Sequence, residues 1–389
     1  MEVTVGPFIM IAGIVAMIVI HEGGHFLAAK AFGMKATEAF FGFGPKLWSM
    51  TRGETEYGIK AIPLGGYVRI IGMNPFEEID AEEEHRTYRV AQFWKKTVVV
   101  LAGIVSHFIV AFVLLWGVGV VWGVVVIDDD GFAERTTTVA AVSSTVPGSS
   151  DPSPAAEAGT EPGDVIVETN GVAVATWDDF GTFAETHGGE QVVVTVERDD
   201  QVLALSATLA IIDRPIVVDG EYVLGPDDEP MTGEVGFFGV TPEAAHESVG
   251  PIAMLPTAAS QVGEAVVMSV RGLWEMIIGF PKLVMSLFGG DDEILETVRP
   301  ISPIGLVRIA GPAESTLQLL ALVNIFVGVL NFVPLYPLDG GHFSVAAYEK
   351  ITGRQPNIEK LLPIAAAVFI FIVSLGLMGV YLDIFKPIQ

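Results

Sequence analysis

The chain has 389 residues, 51% of them hydrophobic and 17% charged, with a mean hydropathy of +0.53, a balance that excludes an ordinary soluble protein and points to the membrane. Its 21 basic against 47 acidic residues leave a formal charge of -26, a field that repels phosphate backbones and sets nucleic acid aside as a partner. With no cysteine, the chain has no disulfides, no thiolate-held metals and no thiol nucleophile, so any metal must be held by His, Asp or Glu.

Four apolar stretches, at about 5–28, 97–127, 316–337 and 361–382, each supply the roughly 20 apolar residues that a bilayer core demands. The first carries two histidines and a glutamate and lacks a basic leader, so it reads as a retained span rather than a cleavable signal. Ten of the basic residues lie in 30–96, seven are spread over 135–308, three lie in 350–360, and Lys386 completes the count. By the positive-inside tendency the loops after spans 1 and 3 are cytoplasmic, and the acidic segment 128–315 and both termini lie outside.

Span 1 contains His21-Glu22-Gly23-Gly24-His25. A spacing of i, i+4 puts both imidazoles on one helix face, about 6 Å apart along the axis, which suits two ligands of one tetrahedral zinc. Glu22 is offset by about 100°, too far to ligate the same ion but able to reach a water beside it and act as its base. A glutamate and two histidines inside an apolar span are costly to insert and mark a buried functional site. Gly23 and Gly24 admit a close backbone approach, read here as the passage of a substrate strand.

Zinc needs a third protein ligand, and the best candidate is Asp339, at the end of span 3 where two prolines break the helix in Asn331-Phe332-Val333-Pro334-Leu335-Tyr336-Pro337-Leu338-Asp339-Gly340-Gly341-His342. From Phe8 to His21 a helix descends roughly 20 Å, and Asn331 lies at a similar depth beyond Leu317, so the two motifs meet at one level nearer the cytoplasm. Non-helical backbone at that depth requires a protein-lined or hydrated pocket.

These two motifs resemble those of the site-2 protease family (M50) of intramembrane zinc metalloproteases, in particular its bacterial RseP/Rip-type branch. The resemblance implies zinc as cofactor, His21, His25 and Asp339 as its ligands, Glu22 as general base, and Asn331 as a polar group that holds the substrate or the oxyanion. Gly42-Phe43-Gly44-Pro45-Lys46-Leu47 and the run YGIKAIPLGGYVRIIGM at 57–73 are similar to the family's membrane-associated β-hairpin beside the active site. Its extended edge would pair with an unwound substrate by β-augmentation; the alternative on residues alone is an ordinary cytoplasmic hairpin. Span 2 has Gly103-Ile104-Val105-Ser106-His107 where many relatives read G-P-x-x-N; His107 is expected to be satisfied by a neighbouring helix or water and stays off the catalytic set. His342 follows the third ligand closely and is read as a helix-start or outer contact.

Outside the membrane, the run A-G-x-x-P-G-D-x-I-x-x-x-N-G at 158–171 resembles a PDZ domain over about 133–210, a module that takes an extended peptide or C-terminus as an added strand. Residues 211–240 read as a further β segment, and 243–288 as an amphipathic helix pair on the outer leaflet or a helical linker. The expected fold is thus a polytopic α-helical membrane protein of four transmembrane helices with an inserted extracytoplasmic PDZ-like α+β domain. Its segments are 1–34 (span 1), 35–96 (cytoplasmic loop and hairpin), 97–127 (span 2), 128–240 (PDZ domain and β segment), 241–315 (amphipathic juxtamembrane region), 316–342 (span 3), 343–360 (cytoplasmic loop) and 361–389 (span 4 and C-terminus).

The expected function is zinc-dependent intramembrane endopeptidase activity, in the cytoplasmic membrane, on transmembrane segments of single-pass proteins of the anti-sigma factor type. The substrate unwinds locally because its helical amides are otherwise locked in hydrogen bonds. Lipid and a PDZ-bound peptide or C-terminus complete the expected partners. A non-cleaving scaffold is opposed by the joint presence of His21, Glu22, His25 and Asp339. A metal transporter would carry further intramembrane carboxylates on spans 2 and 4, and none occurs before Asp383.

Overall fold

A computed structural model describes residues 5–74, 77–128, 132–215, 217–218, 221–222, 230–289, 299–354 and 356–386. The chain divides into two compact units, 1–122 with 249–389, and 123–248.

The first unit begins with helix α1 (Gly6–Ala31), two sheet segments β1 (Ala36–Arg52) and β2 (Thr55–Ile70), and helix α2 (Phe93–Val121). α1 starts with Pro7 in its first turn, where a missing N–H costs nothing, and ends at Gly33, whose φ of +74° stops the helix. Phe8, Ile11, Val19 and Leu27 on α1 and Ile109, Val113 and Val121 on α2 are exposed, as expected of faces turned to lipid rather than to a protein core.

β1 and β2 do not form a plain hairpin. Each bends, with Gly42 and Gly44 of β1 at positive φ, so that the first part of β1 pairs on both sides: Phe41 lies opposite Gly66 and also opposite Ile59. The result is a curled sheet in the order 66–70, 36–41, 55–59, 46–52, with 66–70 as an outer edge. Its root packs against the helix ends through Ala29, Met34, Ala36, Ile70, Tyr88, Val99 and Val100.

The second unit holds β3 (Val124–Val125), β4 (Arg135–Val142), α3 (Pro154–Ala158), β5 (Val165–Thr169), β6 (Val172–Ala173), α4 (Trp177–Thr186), β7 (Gln191–Arg198), β8 (Gln201–Thr208), β9 (Ala210–Pro215), β10 (Val217–Val218), β11 (Glu221–Tyr222), β12 (Thr232–Phe237), β13 (Val240–Ala244) and β14 (His246–Glu247). The main sheet runs β13-β4-β5-β7-β8, with β6 paired to β5. Alternation in β7 turns Val192, Val194 and Val196 into a core shared with Val139, Ile166, Phe180 and Phe238. Asn170-Gly171, at φ +47° and +82°, makes the tight turn that an Asn-Gly pair favours. Ser153 caps α3, and Thr176 with Asp179 forms a capping box on α4. β13, lying past residue 240, belongs to this sheet, so the unit continues to Ser248 rather than giving way to a juxtamembrane region at 241. Part of the expected β segment, at 216, 219–220 and 223–229, lies outside the described residues.

Asp164 is fully buried in this unit and is gripped by Arg198, whose Nε and Nη2 lie 2.6 and 2.7 Å from its two oxygens, while the Glu161 N–H donates to it at 2.9 Å. Burial pushes the Asp164 carboxyl up, but the Arg198 guanidinium and the Glu161 amide outweigh it and hold the carboxyl below its ordinary value. Arg198→Met is therefore expected to destabilise the unit by about 3 kcal/mol, because it strands a buried charge. Hydrogen exchange of β5 and β7 amides in the full chain checks this. The pair's contribution is complete above the unfolded carboxylate value of about 3.9 and fades as pH falls through the lower folded value, so the wild-type protection should fall below about pH 4 while the variant's changes less. Equal protection in the two proteins at neutral pH would contradict it.

The first unit resumes with α5 (Met254–Gly289), α6 (Pro303–Ile309), α7 (Ala313–Phe332), α8 (Asp339–Thr352) and α9 (Ile358–Phe385). α5 is one helix carrying Pro281 inside it, where the sequence pattern suggests a pair: proline at 281 loses its bond within the helix without ending it. It packs on α9 through Leu283, Leu375, Met378 and Leu382. Among the described residues four helices are long and apolar enough to cross a membrane: Gly6–Ala31, Phe93–Val121, Ala313–Phe332 and Lys360–Phe385. Together with the sheet-rich unit they make this a membrane protein with a β domain.

Small residues set the approach of the helices. A Cβ at Gly24 would lie 2.6 Å from the Ala102 carbonyl of α2, one at Gly13 would strike Leu320 of α7 at 2.4 Å, and one at Gly328 would lie 3.1 Å from the His107 Cβ. α1, α2 and α7 thus pack by close backbone approach, the device available where lipid removes the hydrophobic drive between helices. The close approach at Gly24 is to α2, not to a substrate strand, and Gly23 meets nothing within 4 Å.

Candidate metal centre and active site

The i, i+4 spacing in α1 points His21 and His25 to the same side, and α8 begins with Asp339 opposite them. His21 Nε2 and His25 Nε2 are 3.3 Å apart, and Asp339 Oδ2 lies 3.4 Å from the first and 3.2 Å from the second. The three side chains are 14%, 7% and 16% exposed. Among the described residues this is the cluster of three or more His, Asp or Glu donors that could hold a metal, all its ligand atoms lying within 4.8 Å of one another.

The donor set fits zinc on its geometry. Bonds of about 2.0–2.1 Å to a tetrahedral ion place neighbouring donors about 3.3–3.4 Å apart, which is the edge of this nearly equilateral triangle. Asp339 Oδ2 is buried and makes no hydrogen bond of proper geometry despite its two close nitrogens, so its lone pairs converge with theirs on a shared point. Three protein donors leave a fourth position open, the pattern of catalytic rather than structural zinc.

Outer contacts hold the ligand candidates. The His25 Nδ1–H donates to the Val99 carbonyl at 2.8 Å, which fixes the tautomer and turns Nε2 inward. Gly103 of α2 lies against the same ring: a Cβ there would come within 2.2 Å of His25 Nε2, so only glycine allows α2 to pass. Glu22 faces the curled sheet, where a Cβ at Gly66 would lie 3.2 Å from its Cγ. The edge segment 66–70 therefore runs beside the glutamate that follows the first histidine.

α7 ends at Phe332, and the stretch to Leu338 folds back non-helically before α8 starts, as the prolines at 334 and 337 require. Gly340 and Gly341 permit this return, since a Cβ at either would strike the backbone of 332–336 within 2.6 Å. Asn331 is half-buried near the end of α7, and among the described residues no hydrogen bond joins it to the histidines or to Asp339. His342 sits in the first turn of α8 with its ring edge-on to Tyr336 and Nδ1 3.4 Å from the Tyr336 hydroxyl. Both line a cavity of about 850 Å³ with Pro337, the edge segment 67–70, Met73, Glu77 and the start of α9. The cavity thus lies between the stretch 336–342, which carries Asp339, and the strand edge 67–70.

Two buried groups extend the site beyond the motifs. His107 of α2 lies with its ring 4.8 Å from that of His21, and its Nδ1 is 3.2 Å from Asn324 Oδ1 on α7. No sequence signal marks Asn324, which stands in an apolar run 217 residues away from its partner.

Three convergent, metal-spaced donors and an adjoining glutamate, in a chain with four apolar helices, define the class: a zinc metalloendopeptidase of the membrane. Residues 9–375 match Peptidase family M50. The chain is 30% identical to the zinc metalloprotease Rip1 of Mycobacterium tuberculosis over 99% of its length and 98% of that protein's. It is likewise 30% identical to the zinc metalloprotease Rip1 of Mycobacterium bovis and to that of Mycolicibacterium smegmatis, each at 99% and 98% coverage. The chain belongs to Peptidase family M50 and is a zinc-dependent metalloendopeptidase.

Proposed function

We propose that this enzyme is an intramembrane endopeptidase that cuts transmembrane segments of single-pass membrane proteins, with His21, His25 and Asp339 as its zinc ligands and Glu22 as its general base. The observation that carries the reading is the triangle of donors, 3.2–3.4 Å on each side, assembled from α1 and the break after α7. When bound, zinc supplies Lewis-acid polarisation of the scissile carbonyl and acidifies the attacking water. Glu22 takes the proton from that water at a carboxylate oxygen and returns it to the leaving amine. His25, fixed through Val99, and Asp339, at the start of α8, hold their donor atoms without reorganisation.

A transmembrane helix presents no free amides, so the substrate must open locally. The edge 66–70 accepts the opened segment as an added strand, which aligns its backbone beside Glu22. Asn331, without a hydrogen-bonding partner among the described residues, holds the substrate or the developing oxyanion. The active site faces the cytoplasm and the 123–248 unit lies outside, in a multi-pass protein of the cytoplasmic membrane, a reading supported by the basic residues concentrated in 30–96.

The 123–248 unit acts as a PDZ domain. Supporting this, β13 is an edge strand, and a cavity of about 430 Å³ runs between α4 and residues 236–242, where an extended peptide or C-terminus can add a strand. This module selects membrane proteins already trimmed outside, the chemistry of an anti-sigma factor.

The test uses the full chain in liposomes with a single-pass reporter. Cleavage is expected inside the apolar segment, to rise when glycine or proline loosens that segment, and to vanish with a chelator and return with zinc. Cleavage confined to water-exposed loops, or indifferent to helix-breaking residues, would refute the intramembrane reading.

A further inference from the structure

The two imidazoles of the metal centre are supported unequally. His25 is secured by its own hydrogen bond to Val99. His21 is held less firmly: its buried Nδ1 faces the Gly103 carbonyl without a well-aligned hydrogen bond, and that carbonyl also accepts from Ser106 Oγ at 2.6 Å. A ligand histidine normally donates its second ring N–H to a carbonyl or carboxylate, which sets the ring's rotation. At His21 the Gly103 carbonyl gives that restraint only weakly, which leaves room for a second support.

We infer that His107, locked by Asn324, is the positioning residue for the metal-binding ring of His21. The inference rests on the ligand set proposed above. The His107 ring lies over His21 at a centroid distance of 4.8 Å and a tilt of 32°, near enough to parallel to block rotation of the His21 ring through it. His107 is itself immobile. It is 2% exposed, and its Nδ1 faces Asn324 Oδ1 at 3.2 Å. The Asn324 amide is oriented in turn, because its Nδ2 donates to the Leu320 carbonyl at 2.8 Å, leaving Oδ1 to accept from the imidazole. Asn324 is 1% exposed, and Gly328, one turn along α7, lets that helix close on the His107 Cβ. The relay therefore runs from the Leu320 carbonyl through Asn324 and His107 to the face of His21.

His107 is a support and not a fourth ligand, since the mutually adjacent donors are those of His21, His25 and Asp339. A phenylalanine would supply a ring face but no bond to Asn324. An asparagine at 107 would supply the bond but no face. Histidine supplies both.

The test compares the full wild-type chain with His107→Leu and Asn324→Leu, in detergent, by zinc competition with a chelator and by the visible spectrum of the cobalt-loaded proteins. His107→Leu is expected to weaken zinc binding about 10- to 100-fold and to shift the cobalt ligand-field bands at saturating cobalt, with kcat lowered and KM for the reporter little changed. Asn324→Leu, which leaves the ring but frees it, is expected to shift the same bands to a lesser degree, and it serves alone if the first variant does not fold. Wild-type zinc affinity and an unaltered cobalt spectrum in either folded variant would overturn the inference. Zinc binding left unchanged by Asp339→Asn would instead overturn the ligand set, so the two failures are distinguishable.

Discussion

Glu22→Gln is expected to lower cleavage of a single-pass reporter by about 10²- to 10⁴-fold while leaving the zinc content at the wild-type level. The substitution keeps the size and polarity of the side chain and removes only its ability to take a proton. Glu22 stands next to the first histidine but about 100° around α1, so it is not placed to share the ion with His21 and His25. Its Cγ lies instead against Gly66, at the sheet edge where the substrate backbone is expected. Cleavage in liposomes, with zinc measured on the same preparation, checks the assignment. Activity within about tenfold of wild type, with zinc retained, would remove Glu22 from the role of base.

Asp339→Asn is expected to have a different signature: zinc affinity falls by more than about 100-fold, and cleavage falls with it. The comparison is with outer contacts of a metal site, whose loss typically costs 10- to 100-fold; removing the one anionic donor of the set should cost more. The fold should survive, because Asp339 lies in the first turn of α8, where asparagine forfeits only a charge–dipole gain of about 0.3–1 kcal/mol. Chelator competition measures the affinity, and circular dichroism of the same sample reports the helices. Zinc affinity within about threefold of wild type would exclude Asp339 from the ligands.

The separation of these two signatures follows from what the sequence encodes locally and what it encodes through folding. The pairing of His21 with His25 is written in a four-residue spacing, and the level at which Asp339 meets them follows from counting helical rise along two apolar runs of fixed direction. Both are one-dimensional quantities. The relation of His107 to Asn324 is not, because two residues 217 apart meet only through the rotation of α2 against α7 about Gly328. The glycine pair in HEGGH shows the same limit. Its small size predicts a close approach, but only the packing says that α2 makes it at Gly24 and leaves Gly23 open.

The sheet elements divide in the same way. The Asn170-Gly171 turn and the alternation of Val192, Val194 and Val196 are legible because they repeat every two residues or sit at a residue pair with a strong backbone preference. The curled sheet of β1 and β2 is not, since its double pairing depends on bends at Gly42 and Gly44 that bring Phe41 between two partners. The addition of β13 to a sheet that begins a hundred residues earlier is likewise a property of the closed fold, and it extends that unit past the boundary drawn from composition. In α5 the pattern reads as a helix pair or a linker, yet the helix runs unbroken through Pro281, with Leu283 packed among Leu375, Met378 and Leu382.

The central claim is that α1 and the start of α8 share one zinc ion, and X-ray absorption at the zinc edge of the full chain tests it most directly. The expected shell contains two imidazole nitrogens and one carboxylate oxygen, with the imidazole scattering reduced by His25→Ala and the carboxylate contribution lost in Asp339→Asn loaded at high zinc. A shell of imidazole and solvent alone, identical in wild type and Asp339→Asn, would contradict it.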